Sequence, residues 1–165
     1  MTARKLDDID RLRQILAYDA TTGVFRWRIS LGSRAQAGTV AGCLTSLGYV
    51  EIGWGGHRYY AHRLAWLYVH GAWPAQMIDH IDGDRTNNRI ENLRDVSRSV
   101  NLQNRKRAAR NNQTGFLGVS QSRSKFKAQI EVGGKNIFLG QFDTPEEAHA
   151  VYCATKRRVH EGCCL

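Results

Sequence analysis

The stretch Ile78-Asp79-His80-Ile81-Asp82-Gly83-Asp84-Arg85-Thr86-Asn87-Asn88-Arg89-Ile90-Glu91-Asn92-Leu93-Arg94 decides how this chain is read. Two short apolar pieces, 78–81 and 90–94, flank a loop of Asp, Asn and Gly. Those loop residues favour turns because their short polar side chains bond their own backbone and tolerate left-handed angles. A two-stranded hairpin is therefore expected. Asp79 and His80 are neighbours, so on a strand they face opposite sides. If the second strand pairs back, Asn92 comes beside His80, where its amide would hold the imidazole in one tautomer. Asn101, on the helix expected to follow, is placed to join Asp79 at a cation.

Carboxylate and amide oxygens suit a hard divalent ion such as Mg²⁺. A neutral His80 can take a proton from a water attacking phosphorus, while a cation stabilises charge on the phosphate and the departing oxygen. Hydrolysis of a phosphodiester is the chemistry that fits. The residues alone equally allow a plain hairpin with a satisfied histidine and turn-forming Asp and Asn side chains. Asp82 and Asp84 are assigned to the turn. An EF-hand does not fit, because the sixth loop position counted from Asp82 is Asn87 rather than Gly.

Working outward, Ala61 to His70 has helical spacing and is closed by Gly71 and Pro74. Before it, 24–29, 39–41, 49–53 and 57–60 read as short strands, and 6–18 as an amphipathic helix. After it, Ser97 caps a helix expected to reach Lys106. The polar run 107–114 reads as a linker, which divides the chain into 1–111 and 112–165. Beyond it, 116–121, 126–132 and 137–142 read as strands, with Gly133-Gly134 as a hairpin turn. Thr144, Pro145 and Glu147 form a capping box for a helix to Val159. Trp27, Trp54, Trp66 and Trp73 are assigned to packing.

With 165 residues and 42% hydrophobic content, the chain can bury a core without staples. It carries 24 Lys+Arg against 15 Asp+Glu, a formal charge of +9, which makes a polyanion the first partner to consider. No stretch approaches the roughly 18 apolar residues of a membrane span, and residues 1–14 lack the apolar segment of a secretory signal. An intracellular protein without membrane attachment is expected. Cys43, Cys153, Cys163 and Cys164 form no C-x-x-C pair, so no structural zinc is expected. The basic excess is sharpest just after the hairpin, where Arg98, Arg105, Lys106, Arg107 and Arg110 occur without an acidic residue. Such a stripe is read as a DNA contact that gains affinity by counterion release.

The motifs Ile78-Asp79-His80-Ile81-Asp82-Gly83-Asp84, Asn87-Asn88-Arg89, Glu91-Asn92-Leu93-Arg94 and Asn101 resemble the HNH endonuclease family, in its phage and intron-encoded homing branch. Ala61-His62-Arg63-Leu64-Ala65-Trp66, Tyr18-Asp19, Thr22 to Trp27 and Gly48-Tyr49-Val50 share that resemblance. It implies a ββα-metal core, with His80 as general base, Asn92 orienting it, and Asp79 and Asn101 as metal ligands. It also implies a divalent cofactor, Mg²⁺ or else Mn²⁺, and a DNA substrate. Arg63 and Arg94 belong to the same motifs and are assigned to DNA. The third family letter, often His, is Asn101 here, as in the homing-type branch.

A second resemblance lies in Gly115 to Val119, Phe126 to Ile130, Phe138 to Thr144, Glu146-Glu147-Ala148 and Ala150-Val151-Tyr152. These are similar to the AP-two/ethylene-response-factor domain, a three-stranded antiparallel sheet backed by one helix that reads the major groove. Alternation agrees: Phe126, Ala128, Ile130 and Val132 point one way, and Lys127, Gln129 and Glu131 the other. Ile137 and Leu139 are expected inward, Asn136 and Phe138 outward. Arg123, Lys125, Lys127, Gln129 and Phe138 are the candidate contacts to DNA. Leu117, Ser120 and Ser122 stand where plant members carry arginines, so base readout does not transfer.

The expected protein is α+β: an HNH nuclease core followed by a small three-stranded antiparallel sheet packed on one helix. Its expected activity is metal-dependent cutting or nicking of double-stranded DNA by a monomer, with a dimer as the alternative. A phage or mobile element in a bacterial cytoplasm is the setting the resemblance implies. The rival is a DNA-binding regulator whose nuclease core is inactive.

Overall fold

The computed structural model describes residues 9–106, 108–109, 111–160 and 163. It is a mixed α+β chain of small antiparallel sheets, divided into two compact units, Met1–Val96 and Ser97–Leu165. Each is described by itself.

In the first unit, helix α1 (Ile9–Ile15) runs directly into strand β1 (Leu16–Asp19), which pairs with β2 (Val24–Trp27). The helix expected over 6–18 is thus cut short, its first residues lying outside the described ones. The turn decides this. Asp19 Oδ1 accepts from Thr21 N at 2.9 Å, and Gly23 N closes onto Asp19 O at 2.8 Å. That hairpin recruits Leu16, Ala17 and Tyr18 as its first strand. A second sheet has the order β3 (Cys43–Leu44), β4 (Val50–Trp54), β5 (His57–Tyr60). The strand expected at 39–41 shrinks to a single bridge between Val40 and Arg26.

Helix α2 (Ala61–His70) spans the residues its spacing predicts, and Gly71, at φ 75°, caps it by donating to Leu67 O. Its buried face, with Leu12, Leu16, Phe25, Trp27, Ile52 and Ile78, makes the core of this unit. Trp54, Trp66 and Trp73 pack against that core, as assigned.

Strand β6 (Met77–His80) pairs antiparallel with β7 (Leu93–Val96), His80 opposite Leu93 and Asp79 opposite Arg94. The entry to β6 is pinned by Asp95, whose carboxylate accepts from Ala75 N at 2.7 Å and Gln76 N at 2.9 Å. Ile90–Asn92, expected as strand, is one turn of 3₁₀-helix, so β7 begins only at Leu93.

The second unit opens with α3 (Arg98–Gln103), shorter than expected and capped by Ser97, whose hydroxyl accepts from Val100 N. Strands β8 (Val119–Ser122), β9 (Lys125–Val132) and β10 (Lys135–Phe142) form a sheet of order β10-β9-β8. Helix α4 (Pro145–Val159) backs it, with Thr144 accepting from Glu147 N at its start. The helix packs closely because Gly118, at φ 77°, carries no side chain: a Cβ there would lie 2.0 Å from the Tyr152 ring. Ala128 and Ile130 are buried, as the alternation predicts. Ile137 pairs with Ile130 yet is 45% exposed, on the edge strand β10; a bulge between Phe138 and Gly140 shifts the register of the residues that follow.

Two features explain why the compact division falls at Val96–Ser97. Lys156 of α4 is buried, and its amine donates to the Arg105 carbonyl, tying the segment after α3 to α4. From Asn112 on, the run expected as a linker is also a folded turn. Asn112 Oδ1 accepts from Thr114 N and Gly115 N, and its Nδ2 donates to Phe116 O and Val119 O.

Candidate active site

The hairpin β6–β7 and its loop bury an unusual number of polar groups: Asp79, His80, Asn88 and Asn92. A buried polar group without a partner costs about 1–3 kcal/mol, so the hydrogen bonds of this loop determine its shape. Asn92 is its clamp. Its Nδ2 donates to Asp82 Oδ1 at 3.0 Å and to Asn87 O at 2.8 Å, and its Oδ1 accepts from Asp82 N at 3.0 Å. Asn87 Nδ2 donates to the other Asp82 oxygen at 2.6 Å. Asp84 N donates to Asp82, and Thr86 donates through N and Oγ1 to Asp84. Asp82 and Asp84 therefore take the turn role assigned to them. Burial raises the Asp82 pKa, but the bonds from Asn87, Asp84 N and Asn92, with His80 nearby, together hold it below the usual carboxylate range.

The amide beside His80 is that of Asn88, not Asn92. His80 Nε2 and Asn88 Oδ1 are 3.1 Å apart. The reason is the 3₁₀ turn: with β7 starting at Leu93, it is Leu93 that lies opposite His80, and Asn92 turns into the loop. His80 is 5% exposed. Burial pulls its pKa below the ordinary histidine value, against the hydrogen bond to Asn88 and the carboxylates of Asp82, Asp79 and Asp84. The imidazole is therefore neutral at neutral pH, the form a general base needs.

A second histidine stands against the first. The His62 ring, on the first turn of α2, meets that of His80 edge to face with centroids 5.1 Å apart, and stacks on Tyr60. His62 is 7% exposed and its Nδ1 has no hydrogen-bond partner. Burial, then His80 and Arg63, push its pKa down to about 3. No spacing in the sequence signals this pairing.

Asp79 accepts from Arg94 Nε at 2.9 Å and Nη2 at 2.7 Å, both on one oxygen, Oδ2. Arg94, assigned to DNA from its motif, is thus engaged with a buried carboxylate inside the hairpin. Arg63 is also engaged, over the Trp73 ring and toward Gln76 O. Asn101 lies on α3, in the second unit. Among the described residues no group of three or more His, Cys, Asp or Glu gathers as a metal site. Within the first unit the oxygen donor at hand is the Asp79 carboxylate, a ligand type that suits a hard cation.

The remaining candidates belong to the second unit. Arg98, Arg105 and Lys106 are exposed, while Arg107 and Arg110 lie outside the described residues. On the sheet, Phe138 pairs with Gln129, is 57% exposed, and has the Lys127 amine 5.5 Å from its ring centroid. Arg123 sits in the β8–β9 turn at φ 56°, and Lys125 makes an exposed ion pair with Asp143.

Residues 59–103 match the family model described as HNH endonuclease. The matched segment runs from β5 through α3 and contains His62, Asp79, His80, Asn88, Asn92 and Asn101. The match supports a nuclease that hydrolyses phosphodiester bonds. Neither a curated protein nor a solved structure matches the chain. No helix of the described residues is long and apolar enough to cross a membrane.

Proposed function

We propose that the protein is a homing-type DNA endonuclease, dependent on a divalent metal, that nicks or cuts double-stranded DNA and is positioned on it by residues 112–165. The observation that carries this reading is a buried, neutral His80 with one ring nitrogen tied to Asn88, inside the segment that matches HNH endonucleases. His80 takes the proton from a water attacking phosphorus. Asn88 keeps the ring in place during that transfer, and Asn92 keeps the loop that carries Asn88 closed. By the family resemblance, Asp79 and Asn101 are the residues that would hold the cation. Bound there, Mg²⁺ or Mn²⁺ supplies charge stabilisation for the phosphate and the leaving oxygen. The exposed Arg98, Arg105, Lys106 and Phe138, with the half-buried Lys127, supply phosphate contacts and a stacking surface. The AP-two-like reading of the sheet gives it the major groove as its place on DNA.

The test uses supercoiled plasmid with Mg²⁺, with Mn²⁺ and with EDTA, for the wild type and His80→Ala. Metal-dependent nicking that disappears in the variant supports the reading. DNA that shifts in a gel but stays intact with the wild type supports a binding regulator instead.

A further inference from the structure

We propose that the hairpin β1–β2, which lies outside the matched segment, is a working part of the catalytic unit: it holds the Asn88 amide on His80 and so fixes which imidazole nitrogen accepts the proton. The inference rests on the reading of His80 as general base.

The orientation of the Asn88 amide is set by its own second bond. Its Nδ2 donates to Thr86 O at 3.2 Å, which leaves the carbonyl oxygen facing His80 Nε2. A carbonyl oxygen only accepts, so Nε2 carries the hydrogen. A neutral imidazole has one N–H, so Nδ1 keeps the lone pair. The choice of Nδ1 as base therefore depends on where the Asn88 side chain sits.

The hairpin settles that place from two directions. Tyr18, on β1, donates its hydroxyl to Asn88 O at 2.7 Å. Burial pushes the Tyr18 pKa up to about 12, so the hydroxyl remains a donor across the working range. The Tyr18 ring is itself lodged against Phe25 and Tyr68, with centroids 4.8 and 5.7 Å away. At the hairpin turn, Gly23 lies flat on the backbone of the same loop. A Cβ there would stand 2.6 Å from Asn88 C and 2.5 Å from Arg89 N, and φ is +72°. Both contacts fall on backbone, which has no flexible end to move aside. A path of packed groups thus runs from the aromatic core through Tyr18 and Gly23 to Asn88, and from Asn88 to His80. Asn88 is 2% exposed, so water has little access to replace any link. Tyr18, Gly23 and Asn88 are positioning residues: they act through His80 rather than on the DNA.

The experiment pairs imidazole ¹⁵N NMR of the metal-free protein at pH 8 with single-turnover plasmid nicking in Mg²⁺. The variants are Asn88→Ala, Asn88→Asp, Tyr18→Phe and Gly23→Ala. In the wild type, His80 is expected as the Nε2–H tautomer alone. Asn88→Ala should mix the tautomers and slow nicking about 10²-fold at unchanged DNA affinity, the typical cost of a misplaced catalytic group. Asn88→Asp keeps an acceptor on Nε2 and should restore the single tautomer. Tyr18→Phe retains its ring and should shift the tautomer ratio the same way, with a loss of about fivefold in rate, that of one ordinary hydrogen bond. Gly23→Ala should exceed Tyr18→Phe in both readouts. Should Gly23→Ala fail to fold, Tyr18→Phe, which lacks one oxygen, decides alone. The proposal is overturned if folded Tyr18→Phe keeps the wild-type tautomer and rate. A wild type that does not nick would remove the nuclease reading, while the NMR would still decide whether the hairpin sets the tautomer.

Discussion

The hairpin β6–β7 of the N-terminal unit and the open face of the C-terminal unit treat their polar side chains in opposite ways. In the N-terminal unit, Asp79, His80, Asn88 and Asn92 are all buried, and the loop from Asp82 to Asn88 is closed by side-chain bonds onto its own backbone. In the C-terminal unit, Phe138, Arg98, Arg105 and Lys106 stand in solvent, and Lys125 shares only an exposed ion pair. Proton transfer needs a donor and acceptor held to within a fraction of an ångström in a dry place. Attraction to a polyanion acts through the field of many charges and tolerates loose geometry. In the proposed function, the fixed, desolvated groups are therefore assigned to bond breaking, and the exposed cations with an aromatic to holding the polymer.

The comparison is broken most severely at His80. His80→Ala should lower the single-turnover nicking rate about 10³-fold, the scale of a lost general base, and leave DNA affinity unchanged. Asn92→Ala comes next. It leaves Asp82 N and Asn87 O without their amide partner, so urea unfolding should show a loss of about 2–4 kcal/mol, with nicking reduced in parallel.

A pH series sharpens the same contrast. The pKa of His62 is depressed in the folded state to about 3, against an ordinary value near 6.5. The unfolded chain therefore binds the proton more readily, so stability is complete above about pH 6.5 and falls as pH drops toward 3. Urea midpoints measured from pH 8 to pH 5 should decline below 6.5, and His62→Phe should flatten that decline. The smallest effect belongs to the exposed face. Lys127→Gln should weaken DNA binding a few-fold and reduce the salt slope by about one, with the nicking rate at saturating DNA unchanged.

The sequence made much of this legible because its signals are local. Helical spacing marked Ala61 to His70, and the Thr144-to-Glu147 cap marked the start of the last helix; both are found there. The acidic-amide loop with His80 beside it was also visible. What escaped depends on distant or single-residue effects. Asn92 was placed beside His80 on the assumption of strand from Ile90, and the 3₁₀ turn moves the register so that Leu93 takes that position. In a strand, a shift of one residue exchanges the two faces. Asn88 gained its partner only through a loop that folds back on itself, held by bonds from Asp82, Asn87 and Asn92. Lysine is seldom fully buried, so nothing local marks Lys156 as a core residue, yet its amine finds the Arg105 carbonyl 51 residues away in sequence. The meeting of His62 with His80 joins two elements that no short motif connects.

The most direct measurement takes DNA affinity and single-turnover nicking on the same preparations of the wild type, His80→Ala and the double variant Lys127→Gln with Phe138→Ala. The expected result is a clean exchange: His80→Ala binds as the wild type does and does not cut, while the double variant binds more weakly and cuts at the wild-type rate once saturated. Residual metal-dependent cutting by His80→Ala, or unchanged affinity in the double variant, would contradict the assignment of cutting to the buried hairpin and of holding to the open sheet.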